Sequence, residues 1–403
     1  MTEVVESAIR TLLLVLQYPN RASYYDDWAD AFIQSSEYDC TVVNVLGLEA
    51  ARLEAMLGEF ELVVLLHSTN SDTLEYLSTV APVLADRNGA KVVVFSGNEY
   101  NSPYVSMAGK RALLQQAGCD IVATQLLPEA GELLYGKDPY RIIAMPHALN
   151  PRAFQPGPAH VKRDKDFGVR GYRYPVYLGD DDRNRFIAFF KEHAAAHGLT
   201  TDITEDVRLD RDGWSAFLAS CRGTISTEAG SWYLDSDDVL VKRIYAYLSE
   251  RRSGLVIRND NPLRSLVRRL PSPVKSLLWT ILKKGPVKYE VLDDFNVSFE
   301  EVEELFFRDA ERSSAYGKAL SSRHFDAIGT RTCQIMLRGR FNDILEPDVH
   351  YLSVEPDYSN LDEVLRRFGD ETLREQVCDS ALDYVLDAHT HQHRMSDLRA
   401  ALG

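Results

Sequence analysis

The 403-residue chain has no run of 18 consecutive apolar residues, so no stretch is long enough to cross a bilayer as a helix. Its five cysteines (Cys40, Cys119, Cys221, Cys333 and Cys378) are scattered and form no C-x-x-C pair. Each has apolar neighbours, so we expect core thiols in a reducing cytoplasm rather than a disulfide framework. Positive charge is in short supply. Lys and Arg total 45 against 60 Asp and Glu, a net charge of −15, which argues against a nucleic-acid-binding surface over the whole molecule. The opening "MTEVVESAIRTLLLVLQYPNR" has acids before a short apolar run and no small-residue cleavage site. No secretory signal is expected there. No internal repeat with a period of 20–50 residues is visible.

What is present is an ordinary globular composition, 45% hydrophobic and 26% charged, over a length that suggests about two domains. In the first 150 residues, short apolar strands alternate with helix-length segments. The strands read "TLLLVL" (11–16), "TVVNVL" (41–46), "ELVVLL" (61–66), "KVVVF" (91–95), "DIVAT" (120–124) and "RIIAM" (141–145). Strands apolar throughout, separated by amphipathic helices, predict a parallel sheet covered on both faces. "MPHALNPRAFQPGPAH" (145–160) carries four prolines and a glycine, and predicts a domain boundary. A second, less regular α/β pattern follows. The prediction is α/β, two Rossmann-like doubly wound domains facing a cleft: 1–150, then 151–375, with C-terminal helices in 376–403 that cross back to the first domain.

"SSRHFDAIGTRTCQIML" (321–337) sets the candidate site. Ser321 or Ser322 predicts a helix N-cap, with the free N–H groups of the first turn turned toward the cleft. Such a terminus favours phosphate, and Arg323 adds a bidentate cation. Asp326 lies about one turn further on. There it can take the hydroxyls of a ribose, or merely complement the helix dipole; spacing alone leaves both open.

The motif resembles the donor-site motif of two-domain, GT-B-type glycosyltransferases, Arg-x-Phe-Glu-Ala-x-x-x-Gly followed by an apolar strand. Asp326 stands where that family normally has Glu. The junction "AMPHALNPRAFQP" and the C-terminal segment 344–394 resemble the same family. Two departures stand out. Lys318 occupies the position, eight before Asp326, where many retaining members carry a second Glu, and "QYPNRASYYDDW" (17–28) replaces a glycine-rich loop. The resemblance implies a glycosyltransferase that moves a sugar from a nucleotide-sugar to an envelope or surface glycan or a lipid-linked acceptor. It implies no metal or other cofactor, and retention of configuration. Donor contacts are then expected from Ser321, Ser322, Arg323, His324, Phe325 and Asp326. Arg170 and Gly171 in "FGVRGYRYP" and Glu228 after a strand are further donor candidates. Two other classes share the architecture: a nucleotide-sugar epimerase and a non-catalytic nucleotide-sugar or glycan-binding protein.

In the first domain, His67 and Glu99 follow strand ends, where catalytic groups of such sheets gather, and are the expected catalytic pair. "HTHQHR" (389–394) invites a metal reading. Residues two apart on a helix lie on opposite sides, however, so at most His389 and His393 could share a ligand face. The insert 261–289 holds seven Lys or Arg and no Asp or Glu. Its apolar faces flanked by cations are what an anionic membrane surface recruits. A cytoplasmic protein, peripheral on the inner face of the membrane, is the expectation.

Overall fold

A computed structural model describes residues 7–17, 21–100, 102–171, 173–205, 207–251, 255–257, 274, 287–289, 297–310 and 312–403. The basic insert predicted at 261–289 lies almost wholly outside the described residues. So does Asn101, which neighbours Glu99.

The first domain runs β1 (Ile9–Val15), α1 (Ser23–Gln34), β2 (Tyr38–Asn44), α2 (Ala50–Leu57), β3 (Leu62–Leu65), α3 (Glu75–Leu84), β4 (Lys91–Phe95), α4 (Met107–Gln116), β5 (Ile121–Thr124), α5 (Pro128–Tyr135) and β6 (Arg141–Ala144). Its six strands lie parallel in the order β2-β1-β3-β4-β5-β6. Side chains alternate between faces along each strand, which explains the unbroken apolar runs. Leu12 and Leu14 of β1, Val63 and Leu65 of β3, and Val92 and Val94 of β4 enter one core. Leu13, Val15, Leu62, Val64, Val93 and Phe95 enter the other.

The second domain contains β7 (Lys165–Gly171), α6 (Asp182–Ala196), β8 (Thr201–Glu205), α7 (Arg211–Ala219), β9 (Cys221–Ser226), β10 (Ala229–Gly230), α8 (Val239–Glu250), β11 (Leu255–Ile257), β12 (Val287–Tyr289), α9 (Phe299–Val302), β13 (Lys318–Ala319), α10 (Ser322–Gly329), β14 (Cys333–Leu337), β15 (Leu352–Val354), α11 (Leu361–Gly369) and α12 (Glu371–Ala388). Five strands form a second parallel sheet in the order β15-β14-β9-β7-β8. Strand order reverses between β1 and β3 in one sheet and between β7 and β9 in the other. Crevices open at such points, beyond the strands' C-terminal ends.

Helix α9 ends at Val302 and the chain continues as a π-helical turn, Glu303–Phe307. Helix α7 was not among the expected elements. Asp210 caps it, accepting from Gly213 N at 2.8 Å.

After α12 the chain returns to the first domain as α13 (His391–Leu402). Met395, Leu398 and Leu402 join the core that holds Leu13 and Trp28, and Tyr38 OH donates to Met395 O at 2.9 Å. The two crossings lie side by side: Leu149 N donates to His389 O and His391 N to Leu149 O, both at 3.0 Å. A further tie joins the domains across the cleft. Asp238, held at φ 63°, places its carboxylate on the start of α4, taking Met107 N at 2.8 Å and Ala108 N at 3.1 Å. A carboxylate satisfies free N–H groups there and complements the helix dipole. No helix among the described residues is long and apolar enough to cross a membrane.

Candidate functional site

Helix α10 begins at the mouth of the interdomain cleft. A small cavity of about 40 Å³ there is lined by Ser23 and Tyr24 of the first domain and by Arg170, Arg208, Trp214, Ser322 and Arg323 of the second. The structure thus brings together Arg170, Ser322 and Arg323 from the expected donor set. It adds Ser23, Tyr24, Arg208 and Trp214, which sequence reasoning did not select.

Gly171 ends β7 where two guanidinium groups converge. A Cβ there would lie 2.4 Å from Arg323 Nη1 and 2.6 Å from Arg183 Nη2. Only a residue without a side chain leaves both arginines this approach. Arg323 donates to Arg170 O at 2.7 Å, and neither Arg323 nor Arg183 has an ion-pair partner among the described residues. Burial, then the Arg183 charge, lowers the Arg323 pKa to about 10. Arg208 stands nearby over the Tyr24 ring, 5.6 Å from its centroid. Like charges crowded at a helix N-terminus make a strong anion site.

Asp326 lies one turn into α10 and is 2% exposed. Its Oδ2 accepts from Trp214 Nε1 at 2.9 Å and from Ser23 Oγ at 2.9 Å. Burial, with the Asp27 charge close by, pushes its carboxyl well above the ordinary range. The carboxylate is therefore fixed by α7 on one side and by α1 of the other domain on the other. An Arg211 clasp holds that second helix in place. Arg211 Nη1 bonds Asp27 Oδ1 at 2.7 Å and Asp30 Oδ2 at 2.6 Å, while Asn150 Nδ2 donates to Asp27 Oδ1 at 2.8 Å.

Several expected donor residues have other partners. His324 is fully buried; its Nδ1 accepts from Ser321 N at 3.0 Å and its Nε2 meets Ser226 Oγ at 3.0 Å. Burial lowers its pKa to about 3, so it is a neutral cap for α10 rather than a cation. Phe325 is fully buried with Leu149, Phe154 and Phe341, the apolar underside of the same helix. Glu228 has both oxygens committed, one to Phe341 N at 2.7 Å and the other to Tyr316 OH. It straps two loops of the second domain together. The Arg170 guanidinium pairs with Asp202 at 2.7 Å and lies over Phe217, which turns its charge into the sheet. Lys318, where an acid often stands, is 3% exposed. It bridges Asp180 at 2.7 Å and Asp182 at 2.8 Å.

His67 and Glu99 are also buried, at 1% and 6% exposure. His67 lies stacked on His147 and beside Trp28 and Phe95, with neither ring nitrogen hydrogen-bonded among the described residues. Burial holds it well below the ordinary imidazole range. Glu99 accepts from Gln125 N at 2.6 Å, and burial raises its pKa. The expected catalytic pair therefore sits in the floor of the first domain rather than at the Asp326 cavity. A strand end points toward the cleft, but here α1 covers it through Trp28. The three histidines of 389–394 likewise separate: His391 packs 4.8 Å from Trp28 and His393 Nδ1 caps Thr390.

No protein family profile matches the chain, and no curated protein matches it. Solved structures do. An α-glucosyltransferase in complex with UDP and a 13-mer DNA containing an HMU base is 9% identical, with a TM-score of 0.52 over 98% of this chain and 99% of that one. HepE from Anabaena in complex with UDP-glucose is 9% identical, with a TM-score of 0.48 and the same coverage. Sucrose-phosphate synthase from Thermosynechococcus elongatus is 12% identical, with a TM-score of 0.47, again over 98% and 99%. The chain has the GT-B fold. At this identity the likeness speaks to architecture: both domains and the C-terminal return match over nearly the full length.

Proposed function

We propose that the chain is a glycosyltransferase that takes its sugar from a nucleotide-sugar held mainly by the second domain. The observation that carries this reading is the convergence of Arg183 and Arg323 on Gly171, at the start of α10 and one turn from Asp326. A diphosphate fits two guanidiniums that have no ion-pair partner among the described residues, together with a helix N-terminus, and a ribose attached to it reaches a carboxylate one turn along. The structural neighbour with UDP bound, and the motif resemblance, support the same ligand class.

In this reading the diphosphate leaves with the charge that develops as the glycosidic bond breaks. Arg183, Arg323 and the first N–H groups of α10 stabilise it at no reorganisation cost, because the fold already holds them in place. The resemblance favours transfer without a bound metal and with retention of configuration. The acceptor approaches from the first domain, as an envelope or surface glycan or a lipid-linked chain. A cytoplasmic enzyme docking on an anionic membrane through 261–289 fits the lipid-linked case.

A thermal-shift screen against UDP-, GDP-, dTDP-, ADP- and CMP-sugars tests the reading. One nucleotide class should stabilise the protein, and Asp326→Ala and Arg323→Ala should each abolish that stabilisation. An unchanged response in both variants would overturn the donor site.

A further inference from the structure

Asp326 is the group that the donor-site reading needs most, yet its Oδ2 is already occupied from the opposite domain. Ser23 Oγ donates to it at 2.9 Å, and Trp214 Nε1 donates to the same oxygen at 2.9 Å. Two donors fill the hydrogen-bonding capacity of one carboxylate oxygen. Ser23 is 6% exposed, so this contact is sealed rather than grazing.

The two donors differ in kind. Trp214 belongs to α7 of the same domain, as rigidly placed as Asp326 itself. Ser23 is the first residue of α1 and belongs to the other domain. A hydroxyl donating to a carboxylate at this distance is what a ribose hydroxyl would supply. We infer that Ser23 is a stand-in for the donor ribose: its hydroxyl occupies the sugar's place on Asp326, and donor binding displaces it. The inference rests on the donor-site reading above and deepens it.

Three further observations agree. The contact is held from a distance by the Arg211 clasp on Asp27 and Asp30 and by Arg211 N on Arg21 O at 2.9 Å. Arg211 lines the cavity beside Trp214, while its partners Asp27 and Asp30 lie outside that lining. Burial, and after it the charge of Asp27 on the seated α1, raises the Asp326 pKa, so the closed arrangement disfavours the ionised carboxylate that a ribose diol would prefer. Moving α1 away removes both the occupying hydroxyl and the opposing charge. Lastly, Ser23 and Tyr24 line the same cavity as Ser322 and Arg323, so a ligand entering there meets α1 first.

The test titrates UDP, GDP, ADP and dTDP into the full chain and into three variants by calorimetry. Ser23→Ala should bind the preferred diphosphate about ten-fold or more tighter, the return from one hydrogen bond to a carboxylate that no longer has to be broken. Asp30→Ala, which weakens the Arg211 clasp on α1 from a residue outside the cavity lining, should also bind tighter. The 2′,3′-dideoxy form of the same diphosphate should show no gain in Ser23→Ala, since it cannot replace the hydroxyl. Weaker binding by Ser23→Ala would make Ser23 a ligand contact, and unchanged binding would make it a simple domain contact; each overturns the inference. If Asp326→Asn binds as well as wild type, the donor-site reading fails instead. No binding of any of the four by either wild type or Ser23→Ala refutes both.

Discussion

Acidification should destabilise this protein through a small set of buried imidazoles, and one substitution isolates the effect. His391 starts α13, the helix that returns to the first domain, and lies 4% exposed against Trp28 with Nδ1 unpartnered. Burial, then His147 and Arg394, lower its pKa to about 3. In the unfolded chain an imidazole titrates near 6.5. The folded state therefore binds fewer protons than the unfolded one between these values. The resulting stability is fully present above about pH 6.5 and is lost as pH falls toward 3. Between pH 7.5 and pH 5 the loss amounts to about 2 kcal/mol for this one residue. His147, lowered to about 4, and His324, lowered to about 3, add similar amounts. Buried Glu99, Glu228 and Asp326 act in the opposite sense, because their raised pKa values favour folding as pH falls. The clean quantity is thus a difference between proteins. Urea unfolding of wild type and His391→Leu, followed by tryptophan fluorescence from pH 7.5 to 5, should give curves that converge by about 2 kcal/mol on acidification. A gap that stays constant with pH would refute a neutral, buried His391.

Four other outcomes follow from the contacts. Leu398→Ala, at a fully buried position of α13, should cost about 2–5 kcal/mol in chemical unfolding and loosen the helix from the first domain. Lys318→Ala leaves Asp180, 2% exposed, without its buried cation. It should cost about 3–5 kcal/mol, and a smaller change would show that Asp180 protonates at little expense. Gly171→Ala places a Cβ 2.4–2.6 Å from two guanidinium nitrogens. Because these side-chain ends can swing away, the protein should fold while diphosphate binding weakens, as calorimetry would report. Trp214→Phe removes one of the two donors to Asp326 while keeping the ring. It should weaken nucleotide binding with little change in melting temperature.

The alternation of apolar strands and amphipathic segments was enough to place ten of the eleven main elements of the first domain, all but α5, and most of the second within a few residues. The reason is local: a strand buried on both faces must be apolar throughout, and a helix covering it must be apolar on one side. The start of α10 was equally readable, because a serine cap and a following arginine act within one helical turn. Helix α7 was missed although Asp210 offered a capping signal, since Gly213 breaks the apolar pattern at its start.

Roles read from strand ends fared differently. Residues after a strand's C-terminus face the crevice only if nothing else covers them. Trp28, arriving from α1, covers His67, and Glu228 turns inward to bond Phe341 N. By itself the sequence determined two doubly wound domains and a helix N-terminus with Arg323 and Asp326 on it. Only the tertiary structure decided what surrounds that carboxylate. Its partners Ser23 and Trp214 lie 303 and 112 positions away along the chain. No periodicity or spacing records contacts at such separations: the Ser23 contact forms only when two separately patterned domains close on each other, and the Trp214 contact only when two helices distant in sequence pack side by side in the second domain.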